Sequence, residues 1–472
     1  MNLKGISYYL SIFCFPITFL SFLNILYSSY FDYFLNTDSY IYTLIASLLF
    51  GSLFYFFGKH ANKNVDFFEQ IIIIILNYFF ISILIGIPYY FSNYQITFVN
   101  SLFEAVSGLT GTGFTIFENI KYLDPTLILW RSSTQWIGGL YFLIYLMVFF
   151  SNTKFNYKLH NLIFTSEKSL NPDSNIKKIS TNIFIYYSLI TFLIFFIFSN
   201  SNIRLFDSLN LAMTIISSGG FLPTNSLGQI IKTNLQEIIL CLAFLLSTLN
   251  IFFVINIFKK NNFVKNHSED FLIIFSIFFS AVILFFIIKD SSFIEILINI
   301  LSSINTSGIV TNNLSNSFSL FFLFLTIVGG SIMSNTSGIK ILRFYILLKA
   351  SFIEIFKLVK PNNIVNQNIL YSDNKINSDT IKLSFFIFIS FFISIFILSS
   401  FLMFDKINFE NSFKLSILTL TNTTNSGIYG LTDINFSNLL TYSKILIIIF
   451  MIIGKIELIS FFLIIKKLFF KN

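Results

Sequence analysis

Ser101-Leu-Phe-Glu-Ala-Val-Ser-Gly-Leu-Thr-Gly-Thr-Gly-Phe114 is the stretch whose reading decides how this chain folds. It is apolar enough to enter a membrane, too short to cross one, and closed by Gly111, Thr112 and Gly113. A crossing helix needs roughly 20 apolar residues, so a stretch of this length reads as re-entrant. Irregular backbone at that depth is tolerated where it is buried in protein or lines a cavity. Three more segments share the plan. They run from Asp207 to Ser217-Ser-Gly-Gly-Phe221, from Ser292 to Asn305-Thr-Ser-Gly-Ile309, and from Ser412 to Thr424-Asn-Ser-Gly-Ile428. Each closes on a hydroxyl residue followed by glycine: Thr112-Gly113, Ser218-Gly219, Ser307-Gly308 and Ser426-Gly427.

The surroundings are those of a membrane protein. The 472 residues are 55% hydrophobic and 11% charged, with 66 Phe and 22 Tyr. A soluble chain carries about 25% charged residues, so a cytosolic enzyme, a secreted domain and a disordered protein are excluded. Two cysteines, Cys14 and Cys241, both in apolar runs, provide no disulfide framework, and three scattered histidines share no metal-binding spacing. Apolar runs near 7–30, 39–58, 67–91, 131–151, 180–199, 235–258, 271–288, 317–335, 383–404 and 441–465 predict ten spans. The first is read as a retained span rather than a signal peptide.

Charge gives the orientation. Of the 30 Lys and Arg, only Lys121, Arg131, Arg204, Lys232, Lys289, Lys406, Lys414 and Lys444 fall on segments placed outside, and Lys455 falls within the last span. The others lie on the opposite face, notably Lys59, Lys63, the 154–178 connector, Lys259, Lys260, Lys265, Lys466 and Lys467. The positive-inside rule therefore puts both termini in the cytoplasm. The net charge of +8 reads as topology and contact with lipid rather than as a nucleic-acid surface. The predicted architecture is all-α and polytopic: a two-helix extension over 1–63, then four pseudo-repeats of span, re-entrant helix and span. These cover 64–155, 156–262, 263–362 and 363–472.

Four short helices ending at glycine suit cation passage. A helix C-terminus carries about half a negative charge, and glycine-rich backbone turns carbonyl oxygens toward a dehydrated ion such as K⁺. No carboxylate occurs in the four clusters. At the helix starts, Ser101-x-x-Glu104 and Ser292-x-x-Glu295 fit the capping-box pattern. Asp207 and Asn411 or Ser412 are candidate caps for the other two.

Further strings are similar to a known family. Leu102-Phe-Glu-Ala-Val-Ser-Gly108 with Thr110-Gly-Thr-Gly-Phe114, Leu129-Trp-Arg-Ser-Ser-Thr-Gln-Trp-Ile-Gly-Gly139, Ala212-Met-Thr-Ile-Ile-Ser-Ser-Gly-Gly-Phe221, Gly338-Ile-Lys-Ile-Leu-Arg343 and Gly454-Lys-Ile-Glu457 resemble the Trk/Ktr/HKT superfamily of potassium transporters. Within it the chain resembles the TrkH-type subunits, which carry two extra N-terminal spans. The resemblance implies K⁺ uptake in a bacterial inner membrane, a homodimer, and a separate cytosolic regulatory partner of the TrkA type that binds the nucleotide. The basic connectors 154–178 and 357–382 are candidate docking surfaces for it. Carried over, the ion ring would be Gly111-Thr112-Gly113, Ser217-Ser218-Gly219, Thr306-Ser307-Gly308 and Asn425-Ser426-Gly427. Glycine at the last position of every repeat goes with K⁺ in the superfamily, and serine in the first repeat with Na⁺.

The chain departs from the pattern in two places. The loop that gates the family's pore reads Gly329-Gly-Ser-Ile-Met-Ser-Asn-Thr-Ser-Gly338 here. Gly329, Gly330 and Gly338 are retained, with Asn335 among the polar residues between them. The family's pore-facing arginine is Lys455, which keeps the charge but lacks the planar fork. Its alternative is snorkelling to the inner surface. Three other readings stay open: a Na⁺-carrying or Na⁺-coupled transporter of the same fold, an unrelated flippase, and an intramembrane enzyme. The last needs paired acids or histidine within the spans, which the sequence does not supply.

Overall fold

In the computed structural model the described residues are 2–33, 36–61, 65–151, 172–258, 267–288, 291–311, 318–360, 366–369, 375–431 and 434–457. The side chains of 67, 147–151, 172–179 and 257–258 are outside this description. So are Lys63, Lys259, Lys260, Lys265, Lys289, Lys466, Lys467, most of the 154–178 connector, and parts of 357–382.

The described residues are helical and contain no strand beyond an isolated bridge between Asn368 and Lys375. In chain order the helices are α1 (Leu3–Tyr30), α2 (Thr37–Gly58), α3 (Phe67–Tyr90), α4 (Phe98–Thr110), α5 (Pro125–Ser151), α6 (Pro172–Asn200), α7 (Leu205–Ile216) and α8 (Asn234–Thr248). They continue as α9 (Ile251–Phe258), α10 (Ser268–Ile287), α11 (Phe293–Ile304), α12 (Ser319–Val328), α13 (Ile341–Val359), α14 (Ser378–Leu402), α15 (Phe409–Leu420) and α16 (Thr441–Ile456).

Six helices, α1, α2, α3, α6, α10 and α14, are long and apolar enough to cross a membrane by length and composition. Two of the ten predicted spans are broken. The run 235–258 stops at Thr248 and restarts at Ile251, because Asp270 Oδ1 takes the Asn250 amide at 2.8 Å and Met333 O takes the Ile251 amide at 3.1 Å. The run 317–335 ends at Gly329, whose φ of +66° stops α12. An irregular loop then leads to α13. The span 131–151 begins earlier, at Pro125, a residue preorganised for a first helical turn. The last span is helical from Thr441 to Ile456, and its predicted continuation to 465 lies outside the described residues.

The N-terminal pair packs side by side. Gly58 in α2 faces Tyr8 of α1 so closely that a Cβ there would stand 2.4 Å from the Tyr8 nitrogen. Tyr141 Oη donates to Phe13 O at 2.7 Å, tying α1 to α5. Large apolar side chains, many of them Phe and Ile, are exposed along α1, α2, α6, α10, α13 and α14. The four short helices α4, α7, α11 and α15 lie inside this shell, with buried C-terminal halves.

Their starts refine the predicted caps. Ser292 and Glu295 form the expected capping box, at 3.2 and 3.0 Å. Helix α4 is capped instead by Thr97, whose Oγ1 accepts from Asn100 N. Ser101 lies a turn inside it, and its hydroxyl donates to Phe98 O. Asp207 sits in the first turn of α7 behind Arg204, and Asn408 precedes α15, so neither Asn411 nor Ser412 is the cap.

Candidate functional site

The four short helices end on one shared centre, and each end carries a left-handed residue close behind the helix. After the helix comes a residue with positive φ: Gly111 (+77°), Ser218 (+55°), Thr306 (+58°) and Asn422 (+48°). One residue further on, in the second, third and fourth ends, an amide turns back into the helix: Gly219 N to Thr214 O, Ser307 N to Ser302 O, and Thr423 N to Leu418 O, at 2.8–3.1 Å. In the first end the amide after that reaches back instead, Gly113 N to Ser107 O, and in the third Gly308 N to Ser302 O does so as well. The matching positions are therefore Gly113, Gly220, Gly308 and Thr424. All four border one cleft of about 410 Å³.

This register differs from the sequence spacing at two of the four ends. Gly111-Thr112-Gly113 and Thr306-Ser307-Gly308 span the matching positions. Ser217-Ser218-Gly219 is offset by one residue, because the second glycine of the Gly219-Gly220 pair takes the last position. Asn425-Ser426-Gly427 is offset by three. Asn425, Ser426 and Gly427 border the same cleft, but Gly427 opens a short 3₁₀ turn to Tyr429.

The ends interlock. Thr424 Oγ1 donates to Gly113 O at 2.9 Å, Asn422 Nδ2 to Thr112 Oγ1 at 3.0 Å, and Ser218 Oγ to Asn305 Oδ1 at 2.7 Å. A Cβ on Gly113 would meet Gly220 Cα at 2.5 Å, and one on Gly308 would meet Thr424 O at 2.5 Å. Glycine is required at these contacts. Among the described residues no carboxylate lines the cleft.

Glu104 does not cap α4. It reaches across to the backbone after the helix, accepting Ile116 N at 2.9 Å and Thr115 Oγ1 at 3.0 Å. It also accepts Arg131 Nε of α5 at 2.9 Å, with both side chains buried. The guanidinium stacks 4.1 Å from the Phe221 ring centroid and so braces the second end as well. Gln135 Oε1 accepts Phe221 N at 3.2 Å from the same helix.

On the other side lies the loop 329–340, buried except at Gly338. Asn335 Nδ2 donates to Ile216 O, the last residue of α7, at 2.8 Å. Ser337 N donates to Thr306 Oγ1, and Ser337 Oγ to Asn422 Oδ1. Gly329 and Gly338 both have positive φ and face carbonyl oxygens where a Cβ would clash. Gly330 is similarly confined by Thr248 O. Lys455 does not snorkel. It is 2% exposed, its Nζ donates to Asn335 O at 2.8 Å, and it lies 4.6 Å from the Phe142 ring centroid. Its Nζ is 3.8 Å from where a Cβ on Gly111 would stand.

Several contributors take roles that the sequence did not assign. Lys340, buried with φ +78°, donates to Ser331 O, Thr336 O and Thr336 Oγ1 and so holds the loop's curl. Glu269, at the start of α10, accepts Ile332 N at 2.8 Å and Ser331 Oγ at 3.1 Å. Arg343 pairs with Glu457 at 2.8 Å. Gly138 of α5 and Gly454 of α16 let those helices touch matching carbonyls of the short helices, Leu109 O and Leu420 O. Such small residues allow close backbone approach between membrane helices.

A solved structure shares this fold. The potassium transporter TrkH of Vibrio parahaemolyticus superposes with a TM-score of 0.85 over 100% of both chains, at 17% identity. The chain has the TrkH fold. Sequence relatives agree. An uncharacterised cation transporter of Methanocaldococcus jannaschii is 29% identical over 70% of this chain and 69% of its own length. The Trk system potassium uptake protein TrkG of Escherichia coli is 27% identical over 64% of this chain and 65% of its own. No protein-family model matches the chain. These relatives are transporters, not enzymes, in keeping with the sequence reading.

Proposed function

We propose that the chain is the membrane-embedded subunit of a potassium-uptake system, and that K⁺ passes the centre where the four short helices end. The observation that carries this reading is the shared backbone plan of four helix C-termini around one centre, free of carboxylates on its cleft side. The helix dipoles favour a cation there, and carbonyl oxygens replace part of its hydration shell. The likeness to Trk potassium uptake proteins supports K⁺ as the ion. The four ends belong to four repeats, with α1 and α2 as the extension, in a ten-span bacterial inner-membrane subunit with cytoplasmic termini. As in the Trk systems, it would work as a homodimer with a TrkA-type partner that carries the nucleotide.

The loop 329–340 and Lys455 would form the barrier beneath that centre. Two like charges 4 Å apart repel by about 4 kcal/mol at an effective dielectric constant near 20, so the ammonium opposes an entering K⁺. Lys455→Met should therefore raise the uptake of radioactive Rb⁺ into liposomes holding the full-length chain by about tenfold or more. A folded variant with no flux would overturn the barrier role.

A further inference from the structure

The fourth position of the ring is unlike the other three, and the difference is a side chain. Gly113, Gly220 and Gly308 leave space between the helix ends, and Thr424 fills it. Its Cβ and Cγ2 lie 2.5 and 2.9 Å from where a Cβ on Gly220 would stand. Its Cγ2 is also 2.9 Å from the corresponding point on Gly308. The side chain thus lies across the centre rather than behind it, and its Oγ1 donates to Gly113 O at 2.9 Å. Thr424 is itself only 9% exposed.

We propose that Thr424 is a specificity-determining residue that lowers the preference of this ring for K⁺ over Na⁺; the proposal rests on the reading that the ring conducts cations. Two physical effects act in the same direction. The hydroxyl proton occupies the Gly113 carbonyl, so one fewer backbone oxygen is free to surround an ion. The side chain that crosses the centre makes the site smaller. Discrimination between the two ions depends on cavity size and on the number and field strength of the coordinating carbonyls. A smaller site with fewer carbonyl ligands favours the smaller ion more than a ring of four glycines does. The sequence spacing had placed Gly427 in this position and hence implied a four-glycine ring.

The experiment compares uptake of radioactive Rb⁺ and Na⁺ in liposomes holding the full-length chain with Lys455→Met, so that the barrier does not mask the ring. That chain should carry Na⁺ within about tenfold of Rb⁺, and adding Thr424→Gly should raise the Rb⁺-to-Na⁺ ratio about three- to tenfold, the worth of one hydrogen bond. Thr424→Ser, which keeps the hydroxyl, should raise it less. The Na⁺ uptake of the Thr424 chain decides the matter even if the glycine variant fails to fold. Exclusion of Na⁺ by more than about a hundredfold, or an unchanged ratio in a conducting Thr424→Gly chain, would overturn the proposal while leaving the transport reading intact. Absence of both ions' flux would instead overturn the transport reading.

Discussion

Glu104→Ala is expected to lower the stability of the detergent-solubilised protein by about 3–5 kcal/mol, the range for breaking a buried ion pair from one side. Arg131 is 1% exposed and Glu104 is its only acidic partner among the described residues. Truncating the acid strands a guanidinium between the first and second helix ends and also frees the Ile116 amide and the Thr115 hydroxyl. Thermal unfolding should show a clear drop in midpoint. Because the cost is mostly that of an orphaned charge, adding Arg131→Met should recover a substantial part of it. A double variant as unstable as the sum of the two single ones would mean that the pair does not act as a unit.

Gly138→Ala and Gly454→Ala are expected to damage transport from outside the ring. The new methyl carbon would stand 2.0 Å from Leu109 O in the first case and 2.4 Å from Leu420 O in the second. Neither neighbour is a flexible side-chain tip, so the whole end of α4 or α15 has to shift. Overpacking of this kind costs about 1–3 kcal/mol. The larger consequence is geometric, since Leu109 and Leu420 precede Gly113 and Thr424 by the same short run of chain. Rb⁺ flux should fall sharply in both variants, while protein still inserts into the membrane. Wild-type flux in both would show that the close approach of α5 and α16 does not hold the ring.

The general plan was legible because length and apolarity are local properties. A segment such as 293–304 is too short to cross, ends in small residues, and carries its own capping box, all visible without a fold. Register was not legible where the sequence permits two answers. Gly219 and Gly220 are adjacent, and only the turn-back of the Gly219 amide to Thr214 O separates them. In the fourth segment the Ser426-Gly427 pair matched the sequence pattern of the other three. Helix α15 ends early enough that the left-handed turn falls at Asn422, three residues before the position the spacing implied. Contacts made across the fold left no local trace. Glu104 and Ser101 have capping-box spacing, yet Thr97 wins the cap and Glu104 is drawn to Arg131. The apolar run 235–258 reads as one span, and the break at Asn250 is produced by Asp270 and Met333. Glu269 is an ordinary charge at a helix start until the loop 329–340 curls against it.

The central claim is that cations pass the point where the four helix ends meet. It is tested most directly by Rb⁺ uptake into liposomes containing the full-length Lys455→Met chain, with and without Gly308→Ala. At Gly308 φ is +70° and a Cβ would meet Thr424 O at 2.5 Å, so the substitution strikes the ring itself. The account predicts saturable uptake above that of empty liposomes, lost when Gly308→Ala is added to a chain that remains folded. Equal uptake with and without Gly308→Ala would place the cation path elsewhere and contradict it.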